Sequence, residues 1–147
     1  MTATLLQLEL NKFRGASVPL SITFDKGRPS VLIFGENGTG KSTIVDAIDF
    51  VANKHHGSLE HRSLDGLSKV EALRCIGSGA ADVSVRLTTA AGTWTGGIHK
   101  NQITRTGPDE APVVRVLRRP GLNRLMEAQP QQRYEELQRF VGVEAIE

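Results

Sequence analysis

The sequence lacks the features that mark secreted or membrane-spanning proteins. Its 147 residues contain a single cysteine, Cys75, so an internal disulfide is excluded and a reducing compartment is favoured. The longest clean apolar run, Val-Leu-Ile-Phe at 31–34, has the length of a strand, whereas a membrane span needs about 20 residues. The first residues carry neither a basic stretch nor a cleavage site typical of a signal peptide. We therefore expect a soluble cytoplasmic chain of one domain, with no membrane partner.

Aromatic residues and net charge are also scarce, at 5% and +2. So few aromatic side chains argue against binding of single-stranded nucleic acid by base stacking. Trp94 is expected to pack in the core. Residues 113–133 nevertheless contain five arginines (115, 118, 119, 124 and 133) against one acid, Glu127. This stretch is either a footprint for phosphates or a solvated face, and the sequence leaves both readings open.

Hydrophobic periodicity predicts an α/β fold with few helices. Alternating apolar residues predict half-buried strands, and the unbroken run at 31–34 predicts a strand buried on both faces. Ile44, Ile48 and Val51 lie on one face of a predicted helix that ends near Asn53, while Asp46 falls off this stripe. The further predicted strands are 6–10, 18–24, 83–87, 93–98 (after a hairpin at 90–92), 101–105 and 113–117, and the further helices are 67–75 and a C-terminal one from Pro130.

The C-terminal helix carries an apolar stripe of Tyr134, Leu137 and Val141, and Gly142 is its expected C′ residue. The stripe could belong to the core or face a partner, and sequence alone does not separate the two.

One segment carries clear chemistry, because residues 35–42 match the P-loop pattern G-x-x-x-x-G-K-[ST] between a predicted strand and a predicted helix. Its glycines permit the backbone N–H groups to converge on phosphate oxygens at the positive end of the helix dipole. Lys41 can reach the β- and γ-phosphates of ATP, Ser42 can bind Mg²⁺, and Thr43 can meet the α-phosphate. The predicted nucleotide site comprises Gly35, Glu36, Asn37, Gly38, Thr39, Gly40, Lys41, Ser42 and Thr43.

Hydrolysis needs a further apolar strand that ends in Asp or Asp-Glu, to hold the metal and polarise water. The strand at 83–87 is followed by Thr88-Thr89, and the strand at 113–117 is followed by Arg118-Arg119. The sequence therefore predicts a chain that binds ATP weakly or partially and does not hydrolyse it alone.

Two stretches support a family resemblance. Residues 8–15 (LELNKFRG) and 35–51 (GENGTGKSTIVDAIDFV) resemble the N-terminal ATPase lobe of SMC-like proteins, as do residues 122–137 near the C-terminus. This class, of the ABC-ATPase type, includes SMC proteins, RecF, RecN and the ATPase of the SbcCD nuclease. The resemblance implies a P-loop half-head with a mixed sheet and an antiparallel β-subdomain, spanning residues 1–147.

The resemblance also implies partners and roles. In this family a distant C-terminal lobe supplies the missing acids after a coiled coil, and two heads enclose ATP and Mg²⁺ as a dimer that acts on DNA or with a nuclease subunit. By position, Arg14 resembles the basic residue that approaches the nucleotide, and Asn37 would face the γ-phosphate. Arg119 stands where the family often has a Mg²⁺-contacting glutamine; because its side chain has only donors, it could contact phosphate or DNA instead.

Other functions are compatible with the same residues. The ATPase module of an OLD-type nuclease or of an ABC transporter shares the P-loop chemistry, and a small P-loop kinase is a further alternative. From a different class, the chain could be a non-catalytic interaction module stabilised by its nucleotide. Among the remaining candidates, His55, His56 and His61 fit a solvated loop better than a zinc site, and Cys75 fits a buried helix face.

Overall fold

The computed structural model describes residues 4–27, 30–60 and 62–141, and the chain divides into two compact units, Met1–Val114 and Arg115–Glu147. The first unit contains strands β1 (Leu5–Asn11), β2 (Leu20–Thr23), β3 (Ser84–Thr89), β4 (Gly92–His99) and β5 (Gln102–Thr106), helix α1 (Lys41–Asn53), and single 3₁₀ turns at Gly57–Leu59, Glu71–Leu73 and Ala80–Asp82. The second unit contains helices α2 (Arg119–Glu127) and α3 (Pro130–Val141).

The strands form one five-stranded antiparallel sheet in the order β2-β1-β3-β4-β5, so the described residues do not form the mixed sheet that the resemblance implies. Because side chains alternate along a strand, the register sorts them onto two faces. Leu8, Leu87 and Trp94 face one another across β1, β3 and β4 and are buried, whereas Glu9 and Arg86 pair on the opposite, polar face. One face therefore carries the core and the other faces solvent.

Helix α1 covers the apolar face of the sheet, where Phe50 and Val51 are fully buried. Phe13, which follows β1, packs its ring against Phe50 with the ring centroids 5.0 Å apart. Gly96 on β4 lies directly under α1, and a Cβ there would approach Phe50 Cε1 to 2.8 Å. The absence of a side chain at Gly96 thus sets how closely the helix that begins at residue 41 approaches the sheet.

Most of the elements that the periodicity predicts are present. The strands predicted at 6–10, 83–87, 93–98 and 101–105 appear as β1, β3, β4 and β5, and β2 forms the central part of the predicted strand 18–24. The turn at Ala90 and Ala91 joins β3 to β4. Helix α1 ends at Asn53 and the C-terminal helix begins at Pro130, as predicted. Trp94 is a packing anchor, only 2% exposed, whereas Gly142 lies outside the described residues.

Two predicted strands are wrong. Residues 30–34 have no regular secondary structure, and the side chains of Leu32 and Phe34 are 85% and 87% exposed rather than buried. Residues 113–117 are likewise not a strand. A strand is stable only when its N–H and C=O groups pair with a neighbour, and the described sheet ends at β2 and β5 without recruiting either segment.

The helix predicted over 67–75 is also wrong, because only the single turn Glu71–Leu73 forms there. The Cys75 amide instead donates to the Lys12 carbonyl oxygen at 2.8 Å, which ends helical bonding and ties the segment to the end of β1. Cys75 is consequently half-buried and not a core residue, and its neighbour Ile76 is fully exposed.

The second unit pairs α2 with α3. Arg133 Nη2 on α3 donates to the carbonyl oxygens of Met126 and Ala128 at 3.0 and 3.1 Å, so it covers the C-terminal end of α2. Tyr134 is 64% exposed and Leu137 is also exposed; the side chain of Val141, the third residue of the predicted stripe, is not among those described. Within the described ranges, no helix is both long and apolar enough to cross a membrane.

Candidate nucleotide-binding site

The P-loop lies between the exposed segment 30–34 and the first turn of α1. Gly38 and Gly40 adopt left-handed φ angles of 86° and 89°, which strain any residue with a Cβ. Within the loop, Thr39 donates to the Glu36 carbonyl oxygen through Oγ1 at 2.8 Å and through its amide at 3.4 Å. These bonds close a turn around the loop, and the left-handed Gly40 turns the chain directly into the helix.

The N-terminus of α1 is suited to an anion. Gly40 is the N-cap and makes no side-chain capping hydrogen bond, and the first turn contains no acidic residue. The first N–H groups of a helix have no carbonyl partner within it, and together with the helix dipole they favour a negative group at this end. The helix start therefore suits an anion, whereas the strand expected before the loop does not form among the described residues.

Lys41 is directed back over the loop. Its Nζ donates to the carbonyl oxygens of Gly35 at 2.7 Å and Glu36 at 2.5 Å. A positive charge is therefore held where the chain enters and leaves the loop. Ser42 is exposed at the start of the helix, and Thr43 beside it is half-buried with its amide bonded to the Gly40 carbonyl oxygen at 3.0 Å.

The structure brings residues 35–43 together as one loop and helix start, and Glu36 and Asn37 are exposed on it. Arg14 has different neighbours. Its Nη1 donates to Ser58 Oγ at 2.8 Å and forms an ion pair with the Asp46 carboxylate on α1. The contacts of Arg14 are thus with the helix that follows the P-loop and with the segment that follows this helix.

Asp46 is a residue that the periodicity analysis missed. It is completely buried, and its carboxylate accepts hydrogen bonds from the Ser58 amide at 2.9 Å and from Ser58 Oγ at 2.8 Å. Gly57 has a φ of 66°, and a Cβ at this position would overlap the Asp46 side chain. No local pattern marks it, because its partners Arg14 and Ser58 are distant in sequence.

The histidine loop after α1 forms a second charged cluster. His56 Nδ1 lies 2.8 Å from Glu60 Oε2, and His55 lies 3.4 Å from Asp49 and 3.6 Å from Glu60. The hydrogen bond with His56 is the main cause that lowers the pKa of Glu60; burial opposes it, and the charges of His55, Lys69 and His56 lower the pKa further. In the part of the chain that the structure describes, no group of three or more His, Cys, Asp or Glu residues could hold a metal ion; His61 lies outside that part.

Two further expectations concern residues away from the P-loop. Strand β3 ends at Thr89, so it carries no acid at its end, in keeping with the sequence. Arg119 is the first residue of α2 and is exposed. Its suggested contact with phosphate or DNA stays a prediction.

These features define a class of protein: a mixed α/β fold with a glycine-rich phosphate loop at the start of a helix is consistent with a P-loop ATPase domain. Residues 7–139 match a family model described as an AAA domain. The match covers most of the chain, so the chain belongs to this family of P-loop ATPases, which is common in SMC-like proteins. The family generally binds ATP with Mg²⁺. No match was found among curated proteins.

Proposed function

We propose that this chain is the ATP-binding N-terminal lobe of an SMC-like ATPase that acts on DNA in repair, recombination or anti-phage defence. The observation that carries the proposal is the loop of residues 35–40, which holds the Lys41 ammonium at the uncapped N-terminus of α1. The match to the AAA family and the sequence resemblance around residues 8–15 and 35–51 support the same assignment.

The residues present fit ATP and Mg²⁺. The backbone N–H groups at the start of α1 would hold the phosphates, and Lys41 would exchange its carbonyl partners for β- and γ-phosphate oxygens. Ser42 Oγ is an exposed oxygen donor of the kind that Mg²⁺ binds together with phosphate and water. The bound metal would neutralise phosphate charge, while the chain itself supplies binding and orientation.

Hydrolysis is assigned to the complete head. We propose that the C-terminal lobe of the same ATPase supplies the acids that β3 lacks, and that a second head completes the site by dimerisation. The exposure of Leu32 and Phe34 supports this proposal, because burying such large apolar side chains against another lobe is favourable. DNA and a nuclease subunit are the further partners that we propose, with the arginines of residues 113–133 as candidate contacts for phosphate.

Calorimetric titration with ATP in the presence of Mg²⁺ tests the binding assignment. Lys41→Ala should abolish measurable affinity with little change in thermal stability, because the contacts of Lys41 Nζ are with the P-loop itself. Lys54→Ala is the matched control, since Lys54 is an exposed lysine just after the other end of the same helix. Equal affinity in the wild-type chain and Lys41→Ala would contradict the proposal and favour a non-catalytic interaction module.

A further inference from the structure

Three parts of the chain meet at the buried carboxylate of Asp46. The Arg14 guanidinium reaches it from the turn after β1, and Ser58 donates to it twice from the segment after α1. Asp46 has no exposed surface, and the Arg14 side chain is only 20% exposed. The approach of Gly57 is so close that the position has no room for a Cβ. This is the most enclosed charged group among the described residues.

The location of Asp46 on the helix links this cluster to the nucleotide site. Ser42 and Asp46 are four residues apart on α1, so they lie on one face about 6 Å apart along the helix axis. Arg14 thus contacts α1 at Asp46, which is about one helical turn along the helix from the residue that we assign to Mg²⁺. The Asp46 carboxylate itself is buried and already bonded, which makes it a poor candidate for a metal ligand.

The ion pair is too enclosed to exchange readily. If Arg14 left Asp46 for a phosphate, a buried carboxylate would lose its counter-charge, and this penalty exceeds what one charge-assisted hydrogen bond returns. A guanidinium can, however, serve several acceptors at once, because it carries five N–H donors in a fixed plane. Backbone contacts also fix Arg14, whose φ is 51° and whose amide donates to the Leu73 carbonyl oxygen at 2.8 Å.

From these contacts we infer that Asp46 is a positioning residue for the nucleotide site. It holds the side chain of Arg14 against α1 and anchors the Gly57–Ser58 segment, which follows α1, against the same helix. Through Arg14, it increases the affinity for Mg·ATP. This last step rests on the proposed function, whereas the anchoring of Ser58 does not.

The sign of the effect separates this role from simple electrostatics. A carboxylate near a triphosphate repels it, so Asp46→Asn would tighten Mg·ATP binding if Asp46 acted only through its own charge. If Asp46 acts through Arg14, Asp46→Asn should raise the Kd for Mg·ATP about 5- to 10-fold. Arg14→Met should raise it by a similar factor, and the double variant should be no weaker than the worse single variant, because coupled residues are not additive.

The matched control is Asp49→Asn. Asp49 is also a buried carboxylate on α1, but its contacts are with Asn53 at 2.8 Å and with His55. Asp49→Asn should leave the Kd within about twofold of wild type. Ser58→Ala is a milder variant that keeps the Asp46 charge and removes one donor, so it keeps the test informative if Asp46→Asn folds poorly; it should raise the Kd about two- to threefold.

Hydrogen exchange without nucleotide tests the anchoring separately. The Ser58 amide, which donates to Asp46, should exchange at least tenfold faster in Asp46→Asn than in wild type or Asp49→Asn. A folded Asp46→Asn variant with an unchanged or lower Kd overturns the role toward nucleotide, and an unchanged Ser58 exchange rate overturns the anchoring. A wild-type chain that binds no Mg·ATP overturns the proposed function and with it the nucleotide role of Asp46, and leaves the exchange data to decide the anchoring.

Discussion

Arg105 on the edge strand β5 donates from Nη1 to the carbonyl oxygen of Ala52 at 2.7 Å, and to that of Val51 at 3.1 Å. These carbonyl groups belong to the last turn of α1, where a helix has no internal donors left for them. The two ends of α1 therefore differ. Arg105 places a positive charge at the C-terminal end, while the N-terminal end beside the P-loop has no side-chain cap.

The contact of Arg105 predicts a loss of stability when its charge is removed. Arg105→Met keeps most of the apolar side chain but loses both charge-assisted hydrogen bonds, and should cost about 1–2 kcal/mol in the free energy of unfolding. Urea denaturation measures this cost. Arg86→Met is the control, because Arg86 lies on the polar face of the sheet in an exposed pair with Glu9, a pair expected to contribute about 0–1 kcal/mol. Equal costs for the two variants would contradict the capping role of Arg105.

Two neighbouring glycines on β4 should differ in how much stability the chain loses when each is replaced by alanine. Gly96→Ala places a methyl group 2.8 Å from Phe50 Cε1 and 3.0 Å from Val51 Cγ2, and should cost about 1–3 kcal/mol through overpacking. Gly97→Ala points to the other face, where the nearest atom is 3.5 Å away, and should change stability by less than about 0.5 kcal/mol. Thermal unfolding of the two variants distinguishes a close helix–sheet approach from a general preference for glycine in β4.

Gly57 combines a left-handed backbone with close packing against Asp46. Gly57→Ala should therefore cost more than the conformational penalty alone, about 3 kcal/mol or more, because the methyl group displaces the carboxylate from Ser58. Gly66→Ala isolates the backbone term, since Gly66 has a φ of 76° and open space around it; it should cost about 1 kcal/mol. If both variants unfold at the same urea concentration, the close approach to Asp46 has no energetic weight.

Glu60 makes stability depend on pH. Its pKa in the folded chain lies below the ordinary value of 4.5, chiefly because of the hydrogen bond with His56. The unfolded chain therefore takes up this proton first, so the contribution is complete above about pH 4.5 and is lost as the pH falls through the lowered folded value. Between pH 6 and pH 3, Glu60→Gln should lose less free energy of unfolding than wild type.

A matched control for this pH dependence is Glu110→Gln, which removes a carboxylate from an exposed loop. Its denaturation curves at the two pH values should follow those of wild type. A Glu60→Gln variant with the full wild-type loss between pH 6 and pH 3 would show that the contact with His56 does not contribute.

The sequence predicted those parts of the fold and site that depend on local patterns. The alternation of Leu8 and Leu10, the helical spacing after Lys41 and the glycines of the P-loop each reflect a requirement that neighbouring residues set. The burial of Asp46 could not be predicted in this way, because it depends on Arg14 and Ser58, which are distant in sequence. Periodicity assigns a polar residue outside the apolar stripe to solvent unless a partner is known.

Residues 31–34 show the opposite failure. Their apolar run without alternation predicts burial on both faces, but burial needs neighbours that the described sheet does not provide. Local composition indicates what a segment requires and not whether the rest of the chain supplies it. The same holds for residues 113–117 and for the turn around Cys75, where pairing with Lys12 prevails over helix formation.

The exposed side chains of Leu32 and Phe34 also bear on the life of this protein in the cell. Short uncharged stretches of large aliphatic and aromatic residues bind chaperones and promote aggregation when they are exposed. We therefore expect chaperones and proteases to act on this chain until those side chains are covered. Its abundance should then follow the supply of whatever covers them.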